Sequence, residues 1–225
     1  PLQRQGVLGQ WKYPVSDASG FNRTNLLIAR NILLKAGYRF KNAQLLDLKG
    51  QPIRIEFLVS DLAEQPSLLP FVRNLKKLGI QVSIRLVDTP QYTERMRNYD
   101  FQMTTLDMPQ SLTPSSEQQQ MWGSQAAVEI GNYNYAGVKS PVVDHLVQQV
   151  MQASNRDQLV IRTRALDRVL RAGYYQILTY GSDQKHFAYW NMYQQPSVQP
   201  KLSLGLDYWW VNVQKANQVT PYLKK

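Results

Sequence analysis

The sequence predicts an α/β fold, a mixed sheet flanked by helices, and three observations carry that prediction. Residues 52–106 alternate between period-two apolar runs and helical runs in the order strand, helix, strand, helix, strand. That order is the sequence form of right-handed crossovers building a parallel or mixed sheet. Residues 140–173 read as two successive capped helices. Finally, 43% of the 225 residues are hydrophobic, yet no uncharged apolar run approaches the ~20 residues that span a bilayer.

The elements follow in order. Asn22 can cap a helix through Gly37, in which Leu26, Ala29, Leu33 and Ala36 recur at helical spacing and Gly37 supplies the stop. Pro52–Ser60 alternates Ile53, Ile55, Phe57 and Val59 and predicts a strand. A helix opens near Pro66, carries Leu68, Leu69, Val72, Leu75 and Leu78, and ends at Gly79. Ile80–Val87 is a second alternating strand. Thr89 caps a short helix with Pro90 in its first turn, running to about Asn98. Phe101–Leu106 predicts a third strand.

Asp107–Ala136 has no sustained period and predicts a long loop region with a helical turn near Glu117–Trp122. Loops of such length inside compact domains are usually functional or disordered. Ser140 then caps a helix to about Ala153, and Asn155 caps another to about Ala172, closed by Gly173. Gln176–Tyr180 and His186–Asn191 read as two short strands. Residues 196–225 hold a Tyr208-Trp209-Trp210 cluster that needs another surface to bury it.

The net charge is +10, which taken alone points to nucleic acid or an anionic surface. Its distribution points elsewhere. Residues 1–97 carry 15 basic and 7 acidic side chains, and residues 139–225 carry 11 and 5. Residues 98–138 hold no Lys or Arg and four acids: Asp100, Asp107, Glu117 and Glu129. Carboxylates without nearby cations are free to pair with a cationic ligand. Asn, Gln and Ser can satisfy amide groups, and aromatic faces can cover apolar side chains. Ligands of α/β sheets sit in crevices at strand ends. The candidate ligand-binding residues are therefore Asp107, Gln110, Ser111, Trp122, Asn132, Tyr133, Asn134 and Tyr135, placed by the loop after the Phe101–Leu106 strand.

Other chemistries lack their residues. Without Cys there is no disulfide, thiolate metal site or Cys nucleophile. No nucleotide-binding glycine loop, H-E-x-x-H or G-x-S-x-G motif is present. His145 and His186 have no second His at ligand spacing, so neither a metal nor a cofactor is expected. Arg162, Arg164, Arg168 and Arg171 concentrate on one helix and read as a solvated face, with a phosphate-binding face as the alternative. Asn22-Arg23-Thr24 is formally a glycosylation sequon at a helix start.

The ordered series of segments resembles the peptide-type periplasmic solute-binding proteins of ABC importers. Asn25–Tyr38 (NLLIARNILLKAGY) is similar to the family's "LLKEAGY" helix, and Leu75–Asp88 (LKKLGIQVSIRLVD) to its helix-Gly-strand passage. Tyr99–Leu106 (YDFQMTTL) matches the "YDF-M" strand. Asn132–Asp144 (NYNYAGVKSPVVD) resembles "NY-GYSNPEVD", Asn155–Leu170 the helix that follows, and Ile177–Trp190 the closing strands. The MWGS and NYNYAG variants look closest to the subgroup that takes oligopeptides and the peptide-nucleotide antibiotic microcin C.

The resemblance implies one lobe of a two-lobed receptor that is not an enzyme. It would lie in the periplasm, close around a peptide-like ligand and deliver it to an inner-membrane ABC permease. Such receptors are about twice this length, so the chain reads as the C-terminal lobe and as a piece of a longer protein. Residues 1–21 would link the lobes, 22–195 form the ligand-binding lobe, and 196–225 return toward the N-terminal lobe. Many relatives hold the peptide's N-terminal amine with an Asp in a "DY-DP" loop. Asp107, in Asp107-Met108-Pro109-Gln110-Ser111, is its loose counterpart. The alternatives are a basic nucleic-acid-binding module and a hydrolase without a recognisable nucleophile. The resemblance expects no nucleic-acid partner.

Overall fold

The computed structural model describes residues 14–15, 22–179, 186–200 and 203–223. By the density of contacts the chain divides into two compact units, Pro1–Ile177 and Leu178–Lys225.

In the first unit, α1 (Arg23–Lys35) lays Leu26, Ala29 and Leu33 against a core of Leu45, Leu78 and Ile80. Asn22 occupies the N-cap position, but its side chain makes no capping hydrogen bond. A hairpin follows that the sequence reading did not contain: β1 (Arg39–Lys41) pairs antiparallel with β2 (Gln44–Leu46). Its two turn residues, Asn42 and Ala43, both have positive φ, 50° and 60°. That is the backbone of a twist-matched two-residue hairpin loop, normally announced by Asn-Gly rather than Asn-Ala.

The central sheet is parallel, in the order β4-β3-β5. Its middle strand β3 (Arg54–Val59) buries Phe57, Leu58 and Val59. It pairs from Arg54↔Gln81 to Val59↔Leu86 with β4 (Gln81–Leu86). The third strand, β5, is shorter than expected and keeps only Met103–Thr104 in the ladder. Side chains take over where its backbone stops pairing. The Gln102 side-chain carbonyl accepts from the Glu56 N–H at 2.7 Å, and the Thr104 hydroxyl donates to the Leu58 carbonyl at 2.9 Å.

Crossover helices pack on this sheet. A 3₁₀ turn (Leu62–Glu64), capped by Asp61 accepting from the Ala63 N–H, leads into α2 (Gln65–Lys77). Leu68 of α2 is buried against Phe57 and Val59. Gly79, at φ 74°, closes α2 where a Cβ would meet the Leu45 backbone nitrogen at 2.6 Å. Only glycine suits both demands. The next helix, α3 (Thr89–Arg97), is capped one residue earlier than expected. Asp88 accepts from the Gln91 N–H at 2.8 Å, leaving Thr89 inside the first turn.

The long loop contains the expected helical turn, α4 (Glu117–Trp122). Ser140 and Asn155 then cap α5 (Pro141–Met151) and α6 (Arg156–Ala172), both as the sequence predicts. Val143, Val147 and Val150 of α5 meet Leu159, Leu166 and Val169 of α6 in a core that also takes in Trp122 and Val138.

In the second unit, β6 (Tyr193–Gln194) pairs antiparallel with β7 (Trp210–Val211), and α7 (Val213–Leu223) follows. The expected strands are not formed. Residues 176–179 and His186–Asn191 make no ladder, and Tyr180 lies outside the described residues. The aromatics of the second stretch pack instead of pairing: Phe187 and Tyr189 lie 5.9 and 4.8 Å, ring centre to ring centre, from Trp209.

Candidate ligand-binding site

Parallel strands place the residues that follow them at a common edge, and here that edge is acidic. Past β3 the chain reaches Asp61 and Glu64; past β5 it reaches Thr105 and Asp107. The Thr105 hydroxyl donates to one Glu64 carboxylate oxygen, tying the two connections together. Partial burial pushes the Glu64 carboxyl above the ordinary carboxylate range, and the charges of Asp61 and Asp107 push it further. Asp107 itself is exposed, and among the described residues it joins no ion pair. Glu64 and Asp61 were not among the residues singled out from sequence. The signal available was their position directly after a predicted strand.

The neighbouring loop is organised by its own side chains. The Gln110 side-chain carbonyl accepts from the Gln118 amide at 2.7 Å, and the Ser111 hydroxyl accepts from the Thr113 N–H at 3.2 Å. Gln110 and Ser111 are both exposed.

Trp122 and Asn134 have a different situation. Trp122 is 8% exposed, with its ring in the α5–α6 core. Asn134 is fully buried. Its amide donates to the carbonyls of Gly123 and Val138 at 2.8 and 2.9 Å, and its oxygen accepts from the Val138 N–H at 2.9 Å. A second clamp lies beside it. Asp144 accepts from the Ser124 N–H at 2.8 Å and the Ser124 hydroxyl at 2.6 Å.

The remaining candidates fall toward the other end of β5. Tyr99, which precedes that strand, shares its hydroxyl hydrogen between the carbonyls of Ala126 and Glu129 at 2.9 and 3.0 Å. The Gly131 N–H donates to the carbonyl of Arg97 at 3.0 Å. These bonds hold residues 126–132 against the α3–β5 turn, at the amino end of β5, whereas Asp107 follows its carboxyl end. Asn132 donates to a Glu129 carboxylate oxygen at 2.7 Å. Asn132, half-exposed Tyr133 and Glu129 line an open recess of about 650 Å³. Tyr135 lies between the two ends, its ring edge-on to Tyr99, Phe101 and Tyr133. Burial raises the Tyr99 and Tyr135 phenols above their ordinary range, and the Glu129 charge adds to the effect at Tyr99. The eight residues therefore do not converge on one spot.

Of the other candidates, His145 and His186 are exposed, and no metal-holding group occurs among the described residues. On α6, Arg162 donates to the Gln149 carbonyl at 2.6 Å and Arg171 pairs with Asp167. Two of the four arginines there are thus engaged within the protein.

No protein-family model matches the chain. It is 39% identical over 203 residues to the Agrobacterium fabrum protein named "Probable peptide-binding protein YejA", covering 89% of this chain and 33% of that one. It is 32% identical over 204 residues to "Peptidoglycan-binding protein YepA" of the same organism, covering 91% and 33%. Its fold matches the oligopeptide-binding protein AppA of Bacillus subtilis, solved in complex with a nonapeptide. That match has a TM-score of 0.67 at 20% identity and covers 90% of this chain and 40% of AppA. The chain spans about a third of the length of the curated relatives it matches. Across most of its length the chain is thus similar in sequence to the protein named "Probable peptide-binding protein YejA", and it has the α/β fold seen in oligopeptide-binding proteins such as AppA.

Proposed function

We propose that the chain is the C-terminal lobe of the periplasmic receptor of a bacterial ABC importer for oligopeptides or peptide-like compounds, microcin C among the candidates. The observation that carries this reading is the 39% identity, over 89% of the chain, to a protein named for peptide binding. In this reading residues 22–195 form the ligand-binding lobe, 1–21 lead in from an N-terminal lobe, and 196–225 return to it. The receptor delivers its ligand to an inner-membrane permease and catalyses no reaction.

The acidic carboxyl end of β3 and β5 supplies the ligand contacts. Asp107 pairs with the ligand amine, Glu64 adds negative charge behind it, and Gln110 and Ser111 meet the peptide backbone. Trp122 and Asn134 act structurally, the one in the α5–α6 core and the other by clamping Gly123 to Val138. Asn132 and Tyr133 belong to the recess at the opposite end of β5, and Tyr135 packs between the two ends against Tyr99 and Phe101. A charge-assisted hydrogen bond of the Asp107 kind contributes on the order of 1.5–3 kcal/mol.

A site shared between two lobes is incomplete on one. Calorimetric titration of the isolated chain with peptides therefore yields millimolar affinity or weaker, and the full-length receptor binds far more tightly. Sub-micromolar binding by the isolated chain overturns the shared-site reading.

A further inference from the structure

The charge excess of the first ninety-seven residues has a structural focus that peptide capture does not use. Helices α1 and α2 carry Arg23, Arg30, Lys35, Arg73, Lys76 and Lys77 and not one acidic residue. All six are exposed, and among the described residues none takes part in an ion pair.

Part of this cationic surface is apolar as well. No residue of α1 is fully buried, and Leu27 and Leu34 are 48% and 43% exposed. Leu27 and Leu34 are seven residues apart, nearly two helical turns, so they lie on one side of the helix. Arg23 and Arg30, at i−4 and i+3 from Leu27, flank that side. Between α1 and the end of α2 lies a recess of about 300 Å³. Leu26, Leu27 and Leu78 give it apolar walls, and Arg23, Arg30 and Lys77 line it with cations.

We propose that this α1–α2 face docks on an anionic lipid bilayer, its cations against headgroup phosphates and Leu27 and Leu34 in the interfacial layer. Charge complementarity selects the occupant: a cationic stripe free of acids seeks an anionic surface, and protruding aliphatics beside it gain by leaving water. The core of a protein interface is enriched in aromatic side chains, whereas α1 carries none and its apolar groups are all aliphatic.

The test is co-sedimentation of the full chain with vesicles of phosphatidylcholine, with and without phosphatidylglycerol. The chain binds only the phosphatidylglycerol vesicles, and binding weakens as salt rises. Each cation near an anionic surface contributes about a fivefold change in partitioning. Arg23→Gln with Lys77→Gln therefore lowers binding at least about tenfold. Arg164→Gln with Arg168→Gln, the same charge change on exposed positions of α6, lowers it less than about twofold. Leu27→Ser with Leu34→Ser lowers binding several-fold at unchanged charge. Circular dichroism verifies that each variant is folded, and Leu27→Ser alone replaces the double variant should the latter unfold. Four results overturn the proposal. They are no binding to phosphatidylglycerol, equal loss in the two charge variants, no effect of the leucine changes, or equally tight binding to soluble polyglutamate.

Discussion

The two ends of strand β5 are built from similar residue types and held in opposite ways. At its carboxyl end Asp107, Gln110 and Ser111 are exposed, and the charges of Asp61 and Asp107 crowd Glu64. At its amino end the carboxylate of Glu129 is matched by the amides of Gln125 and Asn132, and Tyr99 binds the backbone beside it. One end concentrates unbalanced negative charge, which a cationic ligand can relieve. The other has spent its polar groups on holding a loop. Two acids that look alike in sequence, Asp107 and Glu129, thus divide according to whether side-chain amides of the protein answer their charge.

The sharpest break in this comparison is Asn134, the residue from the candidate set most committed to structure. Asn134→Ala leaves the Gly123 carbonyl and both polar groups of Val138 without their buried partner, and the cost is about 3 kcal/mol of unfolding free energy. Urea denaturation followed by tryptophan fluorescence measures it, and a cost below about 0.5 kcal/mol shows that Asn134 is not a clamp. Val147→Ala, in the α5–α6 core beneath the loop, costs about 2 kcal/mol in the same assay.

Glu64 gives a smaller effect of opposite sign. Its carboxyl titrates higher in the folded chain than in the unfolded one. The folded state therefore holds its proton more firmly, and stability falls as pH rises from the ordinary carboxylate range through the raised value. Glu64→Gln removes this dependence, so it stabilises the chain slightly at neutral pH and flattens the pH profile of the denaturation midpoint. An unchanged profile shows that Glu64 is not crowded. Tyr133→Ala, half-exposed at the other end, changes stability by less than about 0.5 kcal/mol.

Much of this architecture was legible in the sequence where pattern and cap agree. β3, β4, α5 and α6 combine clear periodicity with recognisable stops, and Ser140 and Asn155 cap as their positions announce. The β1–β2 hairpin was hidden because Asn42-Ala43 adopts a turn that Asn-Gly ordinarily marks. Helix α7 was obscured by Pro221 and by sparse apolar spacing, although Asn212 does cap it through the Lys215 N–H at 3.0 Å. The stretch from Asp107 to Ala136 has no sustained period in sequence and folds as a loop with one helical turn, α4. Its return past Tyr99 is a long-range backbone contact, which no local period encodes. Asp107 and Asp61 are both legible as strand-end residues, but that Glu64 lies beside Asp107 follows only from tertiary pairing.

The central claim is that ligand binds at the carboxyl end of β3 and β5. Calorimetric titration of the full-length receptor with a random mixture of short peptides, comparing Asp107→Asn with Tyr133→Ala, tests it most directly. With ligand bound at that end, Asp107→Asn weakens binding about tenfold or more and Tyr133→Ala leaves it unchanged. Unchanged affinity in Asp107→Asn together with a marked loss in Tyr133→Ala contradicts it.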